Sequence, residues 1–192
     1  GSNHGGQGSR LEARAGGLVL TDGAKIETFT RTGQGGSLFL EAEDDIEISR
    51  GAYIQSLARR SGAGGDVDIQ AGGTVGVSDG AFIKSEVEAR RSGAGGDIDV
   101  WAGDAIDLSG GAYVLSKAGL NSSGAGGHID LSSGGKIGVS DLAKIQSESA
   151  GGGAGGNVVI RAETLEVRSG GQVANFKAGT GRGGDVDIGV QT

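Results

Sequence analysis

Apolar residues fall at every second position in short segments that recur along the chain, each bounded by glycine, serine or aspartate. GDVDIQA from Gly65, GDIDVWA from Gly96, GHIDLSS from Gly127, GNVVIRA from Gly156 and GDVDIGV from Gly184 are versions of one segment. A period of two puts alternate side chains on one face and predicts a strand with one buried side. A second segment carries the pairs Leu18/Leu20, Ile46/Ile48, Val75/Val77, Ile106/Leu108, Ile137/Val139 and Leu165/Val167. Six residues lead from the second member of each pair to the apolar centre of a third segment, at Ile26, Ile54, Ile83, Val114, Ile145 and Val173. Length varies elsewhere, chiefly after the third segment, as from Glu86 to Ser92 and from Lys117 to Ser123.

A glycine string sets the longer period. GAGG begins at Gly62, Gly93, Gly124 and Gly153, with GQGG at Gly33, GRGG at Gly181 and GQGS at Gly6. Successive starts are 27, 29, 31, 31, 29 and 28 residues apart, which makes six full repeats of about 29 residues and a truncated seventh. Three strands of about five residues, with no room for a crossover helix, cannot bury an apolar face alone, so each unit must stack on copies of itself. In-register stacking pairs each strand with its equivalent, parallel, at about 4.8 Å, and six repeats rise roughly 30 Å. The expected fold is all-β: a right-handed parallel β-helix, a triangular solenoid with one repeat and three short strands per coil. Its hand follows the preference of parallel crossovers. Residues 1–5 read as a leader outside the fold and 6–192 as one solenoid.

Composition supports a packed fold of this kind. The 192 residues include 43 glycines and no proline, cysteine or methionine, yet 35% are hydrophobic, enough for a core. Corners such as Gly64-Gly65 and Gly72-Gly73 are expected to need positive φ or close backbone approach. Central strands need every N–H, which suits a chain without proline. Inward columns are expected at Val67/Ile98/Ile129/Val158/Val186 and Ile54/Ile83/Val114/Ile145, with Ala24, Ala52, Ala81, Ala112 and Ala143 in a narrow corner. Ser56, Ser85, Ser116 and Ser147, with Thr28 and Asn175 at the ends, form a column expected to hydrogen-bond along itself or to the corner backbone.

The patterns G-x-G-G-x-I-x-I and I-x-V-S-x-G-A-x-I-x-S resemble the repeat region of filamentous-hemagglutinin-type exoproteins, over about Gly6 to Asp187. Such proteins are exported by two-partner secretion in Gram-negative bacteria and cyanobacteria. The resemblance implies a structural and adhesive shaft, secreted or held at the cell surface, with an outer-membrane transporter as partner of the parent protein and a host-cell or glycan surface as target. The family's amino-terminal secretion domain carries Asn-Pro motifs, and this chain has no proline, so the resemblance covers shaft alone.

Charge and candidate chemistry narrow the alternatives. A net charge of −7 argues against nucleic acid and anionic membranes as partners. No apolar run approaches the roughly 18 residues of a membrane span, and no charged-then-apolar leader precedes Leu11. The absence of cysteine excludes disulfides and thiol chemistry. No cofactor is implied. In the third segment, Lys25, Tyr53, Phe82, Tyr113, Lys144 and Gln172 should stack outward, so Tyr53, Phe82 and Tyr113 form an aromatic column. That column reads as a self-stabilising ladder or as a platform for sugar rings, and the second reading makes the chain a carbohydrate-binding module. Arg59, Arg60, Arg90 and Arg91 gather on one corner, where they meet a polyanion or neutralise Glu86 and Glu88. Asp68, Asp99 and Asp130 form an outward column that discourages sheet aggregation, or holds a divalent cation if any metal binds. His128 stands where other repeats have Asp66, Asp97, Asn157 and Asp185, and reads as surface variation. A polysaccharide lyase or hydrolase, the third possibility, needs an isolated carboxylate pair, whereas the acidic residues here recur once per coil.

Overall fold

In the computed structural model, which describes residues 8–59, 62–88, 93–120 and 122–191, a strand forms at every segment named above, two more, Leu11–Ala15 and Leu38–Ala42, extend the first set, and no helix occurs among the described residues. The strands sort into three parallel sheets. The first sheet stacks Leu11–Ala15, Leu38–Ala42, Val67–Ala71, Ile98–Ala102, Ile129–Ser133, Val158–Ala162 and Val186–Val190. The second stacks Leu18–Leu20, Ile46–Ile48, Thr74–Val77, Ala105–Leu108, Lys136–Val139 and Thr164–Val167. The third stacks Lys25–Thr30, Tyr53–Ala58, Phe82–Val87, Tyr113–Ala118, Lys144–Ser149 and Gln172–Lys177. The chain is therefore a β-solenoid of about 6 turns with about 29 residues per turn.

Register follows the sequence columns. Ile98 lies opposite Val67 and Ile129, Ile106 opposite Val75 and Ile137, and Val114 opposite Ile83 and Ile145. These side chains are buried in one continuous apolar core, and Ala52, Ala81, Ala112 and Ala143 fill it beside the turn into the third sheet, whereas Ala24, expected in the same corner, is exposed in the first described coil. Each fully buried aliphatic side chain contributes roughly 1.5–3 kcal/mol. Val186 occupies its expected register opposite Val158 but is exposed, because neither the second nor the third sheet has a described strand beside it.

The fixed spacing between the second and third segments comes from a two-residue turn with both central residues in the left-handed region. Asp79 and Gly80 have φ of 53° and 72°, and the Ala81 N–H donates to the Ser78 carbonyl at 3.0 Å. The pairs Asp22-Gly23, Arg50-Gly51, Gly110-Gly111, Asp141-Leu142 and Ser169-Gly170 repeat that geometry. A type I′ turn admits no change in length without breaking the register on both sides. Leu142 is the exception to the glycine at its second position, with φ 66°.

The paired glycines at the other corners have a different cause from the one expected in part. Neither Gly64-Gly65 nor Gly72-Gly73 has positive φ; the backbones of successive coils simply approach too closely for a side chain. A Cβ at Gly65 would lie 2.2 Å from the Gly36 carbonyl oxygen, and one at Gly72 would lie 2.0 Å from that of Glu43. The serine column ties this corner together. Ser85 Oγ donates to the Gly65 carbonyl at 3.0 Å and accepts the Gly96 N–H at 3.1 Å, so one hydroxyl bridges two coils. Ser56 and Ser116 make the same two bonds, and Ser147 donates to Gly127 at 3.0 Å.

Candidate functional site

Two outward surfaces carry the candidate chemistry, one on the third sheet and one on the first. On the third, parallel register places Tyr53, Phe82 and Tyr113 directly above one another. Their ring centroids are 4.7 and 4.8 Å apart and their planes differ by 3° and 5°. Strand spacing thus dictates face-to-face stacking, and each ring face between neighbours is covered by the next ring. The half-buried column shows solvent mainly ring edges. The Tyr53 hydroxyl donates to Glu27 Oε2 at 3.0 Å, and Lys25 Nζ donates to Glu27 Oε1 at 3.2 Å. Those two bonds hold the Glu27 carboxyl below its usual pKa, the lysine having the larger effect. Burial, and then the Glu86 charge, push the Tyr113 phenol up.

Lys84 and Glu86 flank the ladder. Lys84 points outward as its position in the strand requires, yet its side chain is only 17% exposed, because it pairs with Glu86 and lies 5.9 Å from the Phe82 ring centroid. The arginine corner resolves only at Arg59, since Arg60, Arg90 and Arg91 lie outside the described residues. Arg59 Nε is 3.3 Å from Glu88 and its guanidinium lies 5.1 Å from the Phe29 ring centroid. Arg59 thus pairs with one of the two glutamates named for this corner.

The first sheet presents two outward columns side by side. One runs Glu12, Phe39, Asp68, Asp99, Asp130, Val159 and Asp187, and the other Arg14, Glu41, Gln70, Trp101, Ser132, Arg161 and Gly189. Asp68 accepts from Gln70 Nε2 at 3.2 Å, and Asp130 pairs with Arg161 at 2.7 Å. Asp99, between them, has no hydrogen-bond donor among the described residues. Burial, followed by the charges of Asp130, Asp97, Asp68 and Asp66, raises its carboxyl to about 6. A trough of about 220 Å³ lies here, lined by these three aspartates, Gln70, Trp101 and Ser132. It adjoins a second hollow of about 300 Å³ that shares Asp68 and includes Phe39 and Arg10. Among the described residues no three His, Asp or Glu side chains converge as a metal-ligating group.

The corner before the first sheet shows what His128 does. Asp66 Oδ1 accepts the Asp97 N–H at 3.0 Å, and Asp97 Oδ1 accepts the His128 N–H at 2.7 Å. His128 Nδ1 accepts the Asn157 N–H at 3.1 Å, and Asn157 Oδ1 accepts that of Asp185 at 2.9 Å. His128 is therefore a member of an acceptor ladder rather than idle surface variation. The common property of Asp, Asn and His, an acceptor about two bonds from Cβ, was the signal available in the sequence. Trp101 was the functional candidate that periodicity concealed, because it occurs in one coil only.

The chain matches no protein-family model, no curated protein and no solved structure.

Proposed function

We propose that this chain is a length of non-catalytic structural shaft from a secreted or cell-surface exoprotein of the filamentous-hemagglutinin type, exported through an outer-membrane transporter and displayed for adhesion to a host-cell or glycan surface. The observation that carries the reading is the recurrence of one corner, in which the serine hydroxyls of Ser56, Ser85 and Ser116 each clamp two successive coils in the same way. Clamps repeated at successive coils hold those coils to one stacking geometry, which suits a part whose work is length and display. Acidic residues favour the same reading: Asp68, Asp99 and Asp130 are copies of one repeat position, whereas a polysaccharide-cleaving site would set two carboxylates apart from the repeat.

A carbohydrate-binding role through Tyr53, Phe82 and Tyr113 is the weaker reading for that surface, because a sugar platform needs uncovered ring faces and the stacking covers both faces of Phe82 and one face each of Tyr53 and Tyr113. Antibody labelling of intact producing cells, with and without the transporter, tests the proposal. Label on intact cells that disappears with the transporter supports it, as does adhesion of beads coated with the chain. Antigen reached only after lysis would overturn it.

A further inference from the structure

Among the described residues, the trough on the first sheet sets an uncovered aromatic ring beside a carboxylate that has no hydrogen-bond donor. Trp101 is the only tryptophan of the chain and is 49% exposed. Its column neighbours are Gln70 and Ser132, and no ring or cation stacks on it among the described residues. Phe39, on the same sheet, differs: Arg10 and Arg14 lie 5.5 and 5.8 Å from its ring centroid. A large ring left uncovered beside a hollow of about 220 Å³ is the arrangement that takes the apolar face of a sugar.

Charge then selects the kind of sugar. Asp68 and Asp130 have internal partners, but Asp99, in register between them, has none among the described residues and also feels the charges of Asp97 and Asp66. Neutral hydroxyl donors would fill its hydrogen bonds and leave that field uncompensated, whereas an ammonium group answers both. An ammonium beside the indole also gains cation–π attraction. The three carboxylates stand in a row at strand spacing, about 4.8 Å per step, instead of converging on one point, so donors distributed along a chain match them better than one metal ion.

We propose that this trough is a binding site for a glycan bearing free amino groups, a hexosamine chain lying along the solenoid axis, with a sugar ring on Trp101 and its ammonium on Asp99. Asp68 and Asp130 accept from the neighbouring sugars, and the hollow toward Phe39 gives the chain room to continue. The site does not depend on how the protein is exported or displayed.

The single tryptophan makes the test direct. The fully deacetylated glucosamine tetramer is titrated into the chain at pH 7 and low salt while Trp101 fluorescence is followed, and calorimetry runs in parallel. The expected result is a saturable change that weakens with salt. The N-acetylated tetramer and spermine should each bind at least tenfold more weakly, as should Asp99→Asn with the deacetylated tetramer. Trp101→Gln, which installs the residue of the preceding coil, should abolish the calorimetric signal. Both substituted side chains point outward, and circular dichroism checks that the strands are retained. If Trp101→Gln fails to fold, Asp99→Asn alone decides. No saturable signal, equal binding of spermine or of the acetylated tetramer, or an unchanged Asp99→Asn would each overturn the proposal.

Discussion

Ser85→Ala isolates the corner clamp on which the regular stacking rests. The side chain is fully buried, and its hydroxyl is the partner of both the Gly65 carbonyl, at 3.0 Å, and the Gly96 N–H, at 3.1 Å. Alanine removes one oxygen and leaves two backbone groups of different coils without that partner. An unsatisfied buried donor or acceptor costs roughly 1–3 kcal/mol, and two that share one small site together cost about 2–4 kcal/mol. For a chain of this size, 1 kcal/mol shifts Tm by roughly 2–4 °C, so a fall of about 5–15 °C is expected. Urea melts give the free energy. Amide exchange at Gly96 gives the location, since its protection should drop more than that of strand amides in the second sheet. Ser132→Ala, on the outward face, controls for loss of a serine and should stay within about 0.5 kcal/mol of the parent. A Ser85→Ala protein as stable as that control, or one whose Gly96 amide is unaffected, would refute the clamp.

Four further outcomes are expected. Ile83→Asp should cost more than about 4 kcal/mol by burying an unpaired carboxylate between coils, and Lys84→Ala about 1 kcal/mol, because it strands Glu86 at 14% exposure; equal melts for the two would contradict the assigned faces. Leu142→Gly should stabilise by about 0.5–1 kcal/mol, since left-handed φ strains leucine and its side chain is 67% exposed; a lower Tm would show that the side chain makes a needed contact. Asp99 binds its proton more tightly folded, near 6, than at its ordinary 3.8, so its ionisation opposes folding above about pH 6 and that opposition fades as pH falls toward 4. Asp99→Asn should therefore raise Tm at pH 7 and lose that advantage by pH 4, and an advantage that grows with acid would refute the assignment. Replacing Tyr53, Phe82 and Tyr113 with Ser should lower stability by roughly 1–3 kcal/mol through loss of two stacked pairs, and an unchanged urea midpoint would show that the ladder contributes nothing.

Local alternation and a period of about 29 residues determine the strands, the stacking and the inward columns, because a unit this small has no way to bury Val67, Ile83 or Ile106 except against its own copies. The six-residue interval from Val77 to Ile83 is equally a sequence fact, and its cause, a two-residue I′ turn, is a local conformation. Vertical partners across variable loops were beyond such a reading. Arg59 and Arg60 match Arg90 and Arg91 when counted back from the glycine string, but register counts from the strand, and the longer loop after Val87 sets Arg59 against Glu88. The same holds for the sites. That Tyr53, Phe82 and Tyr113 share a column is legible. Their covered faces, the uncovered Trp101 and the lack of a donor to Asp99 among the described residues depend on side-chain geometry between coils. Periodicity specifies which residues stand in line, while only the packed tertiary structure decides what each side chain meets there, because contacts between coils join residues about 29 apart whose exact offset the loops control.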